Sequence, residues 1–290
     1  MIELVLQAIF SGILVGSVYA LVALGLAIAF GTMRIINLAH GELVLLAAYT
    51  AYFVETNTGL NPYAAIPLAL VLVGGLSAVL FLMINRIREH RELNSLILTF
   101  AVGIIITNAI LLAFASDVRT TTSPLLQDAV SIGPLFAMNG EVVAFAVSLL
   151  LMGGLWWWLK GSWYGQAVRA VSSNRDAARL MGINPVRTEY VAFIAAGVLA
   201  SVAGVALYTM SVVQPSIGHA FTVKAFIVTV LAGVGSIPGV FLGAILLGVT
   251  EALTVTLASS ALQELAGMAL FLLVLFFLPT GLFGARARRG

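Results

Sequence analysis

The chain contains no cysteine among its 290 residues. Disulfides, thiolate metal sites and cysteine nucleophiles are therefore excluded. Charge is almost as scarce: 9% of residues are Asp, Glu, Lys or Arg, against about 25% in an ordinary soluble domain. With 61% apolar residues and a mean hydropathy of +1.10, the chain cannot cover itself with a hydrated surface. Its net charge of +2 is too small to point to a nucleic-acid partner. It has no G-x-x-x-x-G-K-[ST] run, hence no P-loop for ATP. No Ser/Lys dyad, di-aspartate or His-rich set falls in its apolar runs, so no catalytic residues are assigned. His40 and His219 lack a nearby third ligand and make a poor metal pair.

What is present is apolar length. No charged residue occurs from Leu4 to Met33, Thr56 to Asn85, Leu93 to Ser116, Tyr190 to Val223, or Ala225 to Thr250. Each stretch exceeds the roughly 20 residues that span a hydrocarbon core. Runs such as SLILTFAVGIIITNAILLAF are apolar on both parities, which excludes the alternating strands of an outer-membrane barrel. The expectation is an all-α polytopic membrane protein with one transmembrane domain over residues 1–290. Helices are expected at 4–30, 42–55, 62–84, 94–115, 139–160, 188–212, 223–235, 240–258 and 263–281. The first run follows Met1 without a basic region or clear cleavage site, and reads as a helix, not a removed signal peptide. The segments 42–55 and 223–235 are short, and each follows a polar stretch, so each reads as half of a broken helix. The count is about eight to nine crossings.

The two polar stretches, INLAHGELVLLAAYTAY and PSIGHAFTVKAFIVTVLAG, both follow a long helix and precede a short one. The two long helices run in opposite directions, which predicts an inverted repeat with its breaks at a central pathway. Asn37, His40 and Glu42 at the first break, and Gln214, Ser216 and His219 at the second, are the candidate pathway residues. Polar side chains in a span are costly unless they face a cavity or a partner. They either line the pathway or cap a break expected around Gly41; in a helix Asn37 and His40 would share a face. Lys224 and Glu251 are isolated charges within apolar helices: Lys224 either pairs with an acid or snorkels, and Glu251 reads as a subunit-interface hydrogen bond or a protonated, satisfied acid.

Of the fourteen Lys and Arg, only Arg119 and Lys224 fall away from one side when the amino terminus is placed outside. The basic side is expected to be cytoplasmic, carboxy terminus included. The run WWWLK at 156–160 fits an interfacial aromatic belt with a snorkelling lysine. The segment 116–138 reads as an ordered lid or surface piece. Gly12 and Gly16, and Gly235, Gly239 and Gly243, have the four-residue spacing of close helix packing.

Residues 161–187 are too polar to span and predict one short amphipathic helix on the basic side. Ala170, Asn174, Ala177 and Met181 lie on one helical face, Val171 and Ala178 on another, and Gly182 with Pro185 stops the helix. Arg169, Arg175, Asp176 and Arg179 supply charge. Two readings stand: a helix lying on anionic lipid, or a protrusion docking into a partner's groove. The small side chains favour docking, since a lipid-facing helix would carry Leu, Phe and Trp.

The stretch ALVALGLAIAFGTMRIINLAHGELVLLAAYTAY resembles the amino-terminal signature of branched-chain amino acid ABC transporter permeases. GQAVRAVSSNRDAARLMGIN resembles that family's coupling segment. QPSIGHAFTVKAFIVTVLAGVGSIPGVFLGAILLG and LPTGLFG resemble its carboxy-terminal motifs. Ala47 and Ala232 stand where the family often has glycine. The resemblance implies an inner-membrane importer subunit working by alternating access. Its implied partners are a second similar permease, in a homo- or heterodimer, two cytoplasmic ATPases that bind ATP and Mg, and an extracytoplasmic solute-binding protein. Arg169, Ala170, Asn174, Ala177, Ala178, Met181 and Gly182 would then form the ATPase-coupling element. The implied cargo is a branched-chain or other hydrophobic amino acid; urea or a short amide is the alternative, because urea importers carry similar signatures. An ion-coupled secondary transporter would account for the repeat but not for the coupling-like segment.

Overall fold

A computed structural model describes residues 1–233, 236–278 and 281–282. Gly235, Pro279 and the arginines at 286, 288 and 289 lie outside the described residues. The chain forms α1 (Ile2–Met33), α2 (His40–Thr58), α3 (Ile66–Arg86, entered through a tight turn at Pro62–Ala65), α4 (Arg91–Phe114) and the single turn α5 (Pro124–Gln127). Strands β1 (Ala129–Ile132) and β2 (Leu135–Met138) make a small antiparallel hairpin. Then follow α6 (Asn139–Gly161), α7 (Trp163–Ser173), α8 (Arg175–Leu180) and α9 (Pro185–Met210). A turn at Pro215–Ile217 leads into α10 (Gly218–Ala232), and α11 (Ile237–Leu257) and α12 (Gln263–Phe277) complete the bundle.

Eight helical segments among the described residues are long and apolar enough to cross a membrane. α2 is not among them, although its 19 residues extend about 28 Å at 1.5 Å per residue. It is therefore longer than the expected 42–55. Glu42, Glu55 and its amide and hydroxyl side chains lower its hydropathy, and it tolerates them because α9, α10, α3 and α4 surround it. The last helix is shorter than expected, ending at Phe277 and not at residue 281.

The packing carries the inverted repeat. α1 packs on α9, α10 and α11, and α9 packs on α1, α2 and α3. Matching α1–α4 to α9–α12 maps each of these pairs onto another in the same set. α6 crosses between the halves, and its basic end continues into α7 and α8. The tightest pairing is α1 with α11, where a Cβ on Gly12 would sit 2.6 Å from the Val249 Cα and one on Gly16 2.8 Å from the Ala244 carbonyl oxygen. Small residues here let two backbones touch, which in lipid replaces hydrophobic driving force as the source of association. Gly243 makes only ordinary contacts, with Leu231 and Val228. The Gly239 amide bonds Ser236 Oγ at the start of α11.

The segment 116–138 is α5 plus the hairpin. The Gln7 side chain pins it to α1, donating to and accepting from the Phe136 backbone at 2.8 and 3.1 Å.

Candidate functional site

α1 ends where Arg34 turns left-handed, with φ 55°, and residues 34–39 run back into the bundle. His40, which opens α2, places Nε2 2.9 Å from the Val22 carbonyl. Val22 lies about 16 Å along α1 from Met33, so α2 begins inside the bundle. The unwound peptides find local partners. Asn37 Oδ1 accepts from the Ala39 amide at 3.1 Å, and the Leu38 amide donates to Thr99 Oγ1 at 3.1 Å. Unpaired backbone groups at this depth would cost several kcal/mol each, so these bonds are what permit the break.

α10 begins at the same place from the opposite direction. The Gly41 amide donates to Thr222 Oγ1 at 2.8 Å, and any Cβ on Gly41 would overlap the Gly218 carbonyl. The Thr222 hydroxyl lies 3.3 Å from the Leu38 carbonyl and 3.4 Å from Glu42 Oε2. The Glu42 carboxyl packs against Gly103 of α4. Two helices thus start nose to nose and leave toward opposite ends. The break expected around Gly41 lies earlier, at 34–39. Gly41 belongs to the first turn of α2 and is glycine because α10 crosses there. Asn37 precedes the helix, so it does not share a helical face with His40.

The six break residues divide into two groups. Asn37, His40 and Glu42 are buried. Ser216 and His219 are exposed and Gln214 is half-buried. The second break is also tied to the loop segment, through mutual 2.8 Å backbone bonds between Arg119 and Val213. Exposed Ser216, in the turn before α10, and His219, in its first turn, lie beside Gly218 at the depth of Glu42 and make a polar outer face at the start of α10. Such a face is unfavourable against hydrocarbon and suited to water or a protein neighbour.

The segment after α6 is two helices, not the single helix expected. Asn174 breaks it with φ −153° and ψ 108°, and its Oδ1 accepts from the Asp176 and Ala177 amides. An Asx side chain that satisfies the first amides of a new helix competes with continuation of the old one. Ala170, Asn174, Ala177 and Met181 therefore do not form one face. Ala178 is buried, Ala170 is half-buried, and Arg169, Asn174, Ala177 and Gly182 are exposed. The tip is apolar: Leu180 is 88% and Met181 83% exposed. Gly182, at φ 85°, turns the chain toward α9.

Besides Glu42, three further buried acids organise the molecule, and sequence reasoning singled out only Glu251 among them. Glu189, in the second turn of α9, bonds Arg175 Nε at 2.7 Å and Arg91 Nη2 at 3.1 Å. Glu251 accepts from Lys224 Nζ at 2.7 Å, the Tyr19 hydroxyl at 2.9 Å and Gln263 Nε2 at 2.9 Å. Glu55 accepts from Tyr208, from Thr121 Oγ1 at 2.8 Å and from the Thr122 amide at 3.1 Å. Glu189 and Glu55 sit at helix ends, where an acid in a sequence reads as ordinary solvated charge.

Residues 8–278 match the family described as "Branched-chain amino acid transport system / permease component". The chain belongs to this family. It is 32% identical to the high-affinity branched-chain amino acid transport system permease protein BraD of Pseudomonas aeruginosa, over 96% of this chain and 95% of that one. It is likewise 32% identical to LivH of Escherichia coli, with the same coverage. Among solved structures, PsaBC from Streptococcus pneumoniae in complex with Fab is similar in fold, with TM-score 0.53 and 15% identity over 94% of this chain and 91% of that one. The family is that of a transport component, and eight apolar helices among the described residues fit a multi-pass membrane protein.

Proposed function

We propose that this chain is the membrane permease subunit of an ATP-driven importer for branched-chain aliphatic amino acids. It sits in the cytoplasmic membrane with its basic end inside and its amino terminus outside. Its partners are a second similar permease, two ATPases that bind ATP and Mg, and an extracytoplasmic solute-binding protein. The observation that carries this reading is the α8 tip. Leu180 and Met181 project at the basic end while the buried Glu189 holds the base of the same helix. A rigid mount with a short apolar knob suits a partner's groove and would deliver the partner's movement to α9.

In this reading the polar patch at the start of α10, with Ser216 and His219, borders the pathway between the two permeases. Asn37, His40 and Glu42 build the crossing of α2 and α10 and need not touch solute. Gln214 lies at the pathway mouth, next to Val213, whose backbone bonds to Arg119 of the outer loop.

The test is reconstitution of the permease pair with its ATPases and binding protein in liposomes. ATP-dependent uptake of labelled leucine or valine is expected. Uptake by the permease alone under an ion gradient would overturn the reading, as would transport of urea with no leucine uptake.

A further inference from the structure

A cavity of about 450 Å³ opens at the basic end between α1, α6, α7 and α11. Ile28, Trp156, Ile237 and Pro238 give it apolar walls, over a floor of buried Leu24 and Val240. Lys160, Arg169, Ser172 and Ser236 give it a polar rim, and no Asp or Glu lines it among the described residues. Among the described residues neither Lys160 nor Arg169 forms an ion pair. Lys160 Nζ instead lies 3.9 Å from the centroid of the Trp156 ring.

Two unneutralised cations above an apolar slot ask for an occupant with both characters. A free anion would leave the slot uncovered, and a neutral lipid would leave the cations unmatched. The carboxy-terminal sequence, with arginines at 286, 288 and 289, has the wrong sign. The location is also right for lipid: Trp156 and Lys160 are an interfacial pair, and basic residues at that level attract anionic headgroups. We propose that this cavity binds an anionic glycerophospholipid, its phosphate at Lys160 and Arg169 and its acyl chain along the wall made by α1 and α11. Arg169 then serves lipid and not the ATPase contact expected for it.

The test uses the full-length permease in detergent, offered phosphatidylglycerol, phosphatidylcholine or inorganic phosphate and read by native mass spectrometry. One phosphatidylglycerol per chain is expected to be retained about thirtyfold over phosphatidylcholine, each cation contributing roughly fivefold. Lys160→Gln with Arg169→Gln should erase the preference, whereas Arg187→Gln, at the same end but outside the cavity, should keep it. Thermal unfolding gives a second readout: phosphatidylglycerol should raise the Tm of the native chain and not of the double variant. Equal retention of the two lipids, or a preference surviving the double variant, would overturn the proposal. So would displacement of the lipid by millimolar inorganic phosphate, which would mark a simple anion site.

Discussion

Glu189 holds Arg175 at 2.7 Å, and through that bond the first residue of α8 is fastened to the second turn of α9. The same carboxylate, 1% exposed, reaches Arg91 at the start of α4. One acid therefore links the exposed knob, the central helix and a peripheral helix. α9 runs about 32 Å from Glu189 to Met210, just before the second break, so it is the one helix that joins the base of α8 to the neighbourhood of Ser216 and His219.

Glu189→Gln is expected to weaken that link without removing the side chain's shape. In reconstituted transporter, ATP hydrolysis should persist while solute imported per ATP falls by roughly 5- to 150-fold, the range of ordinary coupling energies of about 1–3 kcal/mol. Glu189→Asp should recover part of the ratio. An equal fall in hydrolysis and uptake would mean that the acid only stabilises the fold.

Leu180→Asp with Met181→Asp tests the knob itself. Both side chains are exposed, so the permease should purify with an unchanged Tm. Its affinity for the ATPases should fall by about thirtyfold, equivalent to losing a contact of about 2 kcal/mol. Unchanged co-purification with the ATPases would place the docking surface elsewhere.

Gly41→Ala puts a methyl group against the Gly218 carbonyl, which is backbone and cannot move aside. Overpacking of this kind costs about 1–3 kcal/mol, so the unfolding temperature in detergent should drop. Gly75→Ala, inside α3 with nothing within 4 Å of its Cβ position, is the control and should not lower it; alanine's helix preference of about 0.5–1 kcal/mol should raise it slightly.

Lys224 and Glu251 form an ion pair with side chains 14% and 3% exposed. Lys224→Met alone should cost about 3–5 kcal/mol, because it strands a buried carboxylate. Adding Glu251→Leu should recover much of that loss, since the pair's desolvation cost disappears with it. A double variant as unstable as the single one would show that Tyr19 and Gln263 depend on the carboxylate more than the carboxylate depends on the lysine.

The two breaks were legible because polar residues interrupt apolar runs; Lys224 and Glu251 stood out as lone charges in such runs, but that they pair with each other was visible only in the fold. Glu189 and Glu55 were not legible. Each lies near a helix end; Arg91, Tyr208 and Thr121 come from elements distant in the chain, and Arg175, 14 residues before Glu189, reaches it only because the chain turns at Gly182. The α7–α8 break was missed because its sequence keeps helical periodicity; only the Asn174 cap, a local hydrogen-bond choice, ends one helix and starts the next.

By itself, the sequence determined the class of molecule, its approximate spans and the end that gathers basic charge. Those follow from the length of apolar runs and the placement of charges along one dimension. Tertiary structure alone decided that His40 and Glu42 turn inward while Ser216 and His219 turn outward. That division depends on the meeting of α2 and α10 at Gly41 and Gly218, a crossing set by two backbones in contact, which no one-dimensional pattern records.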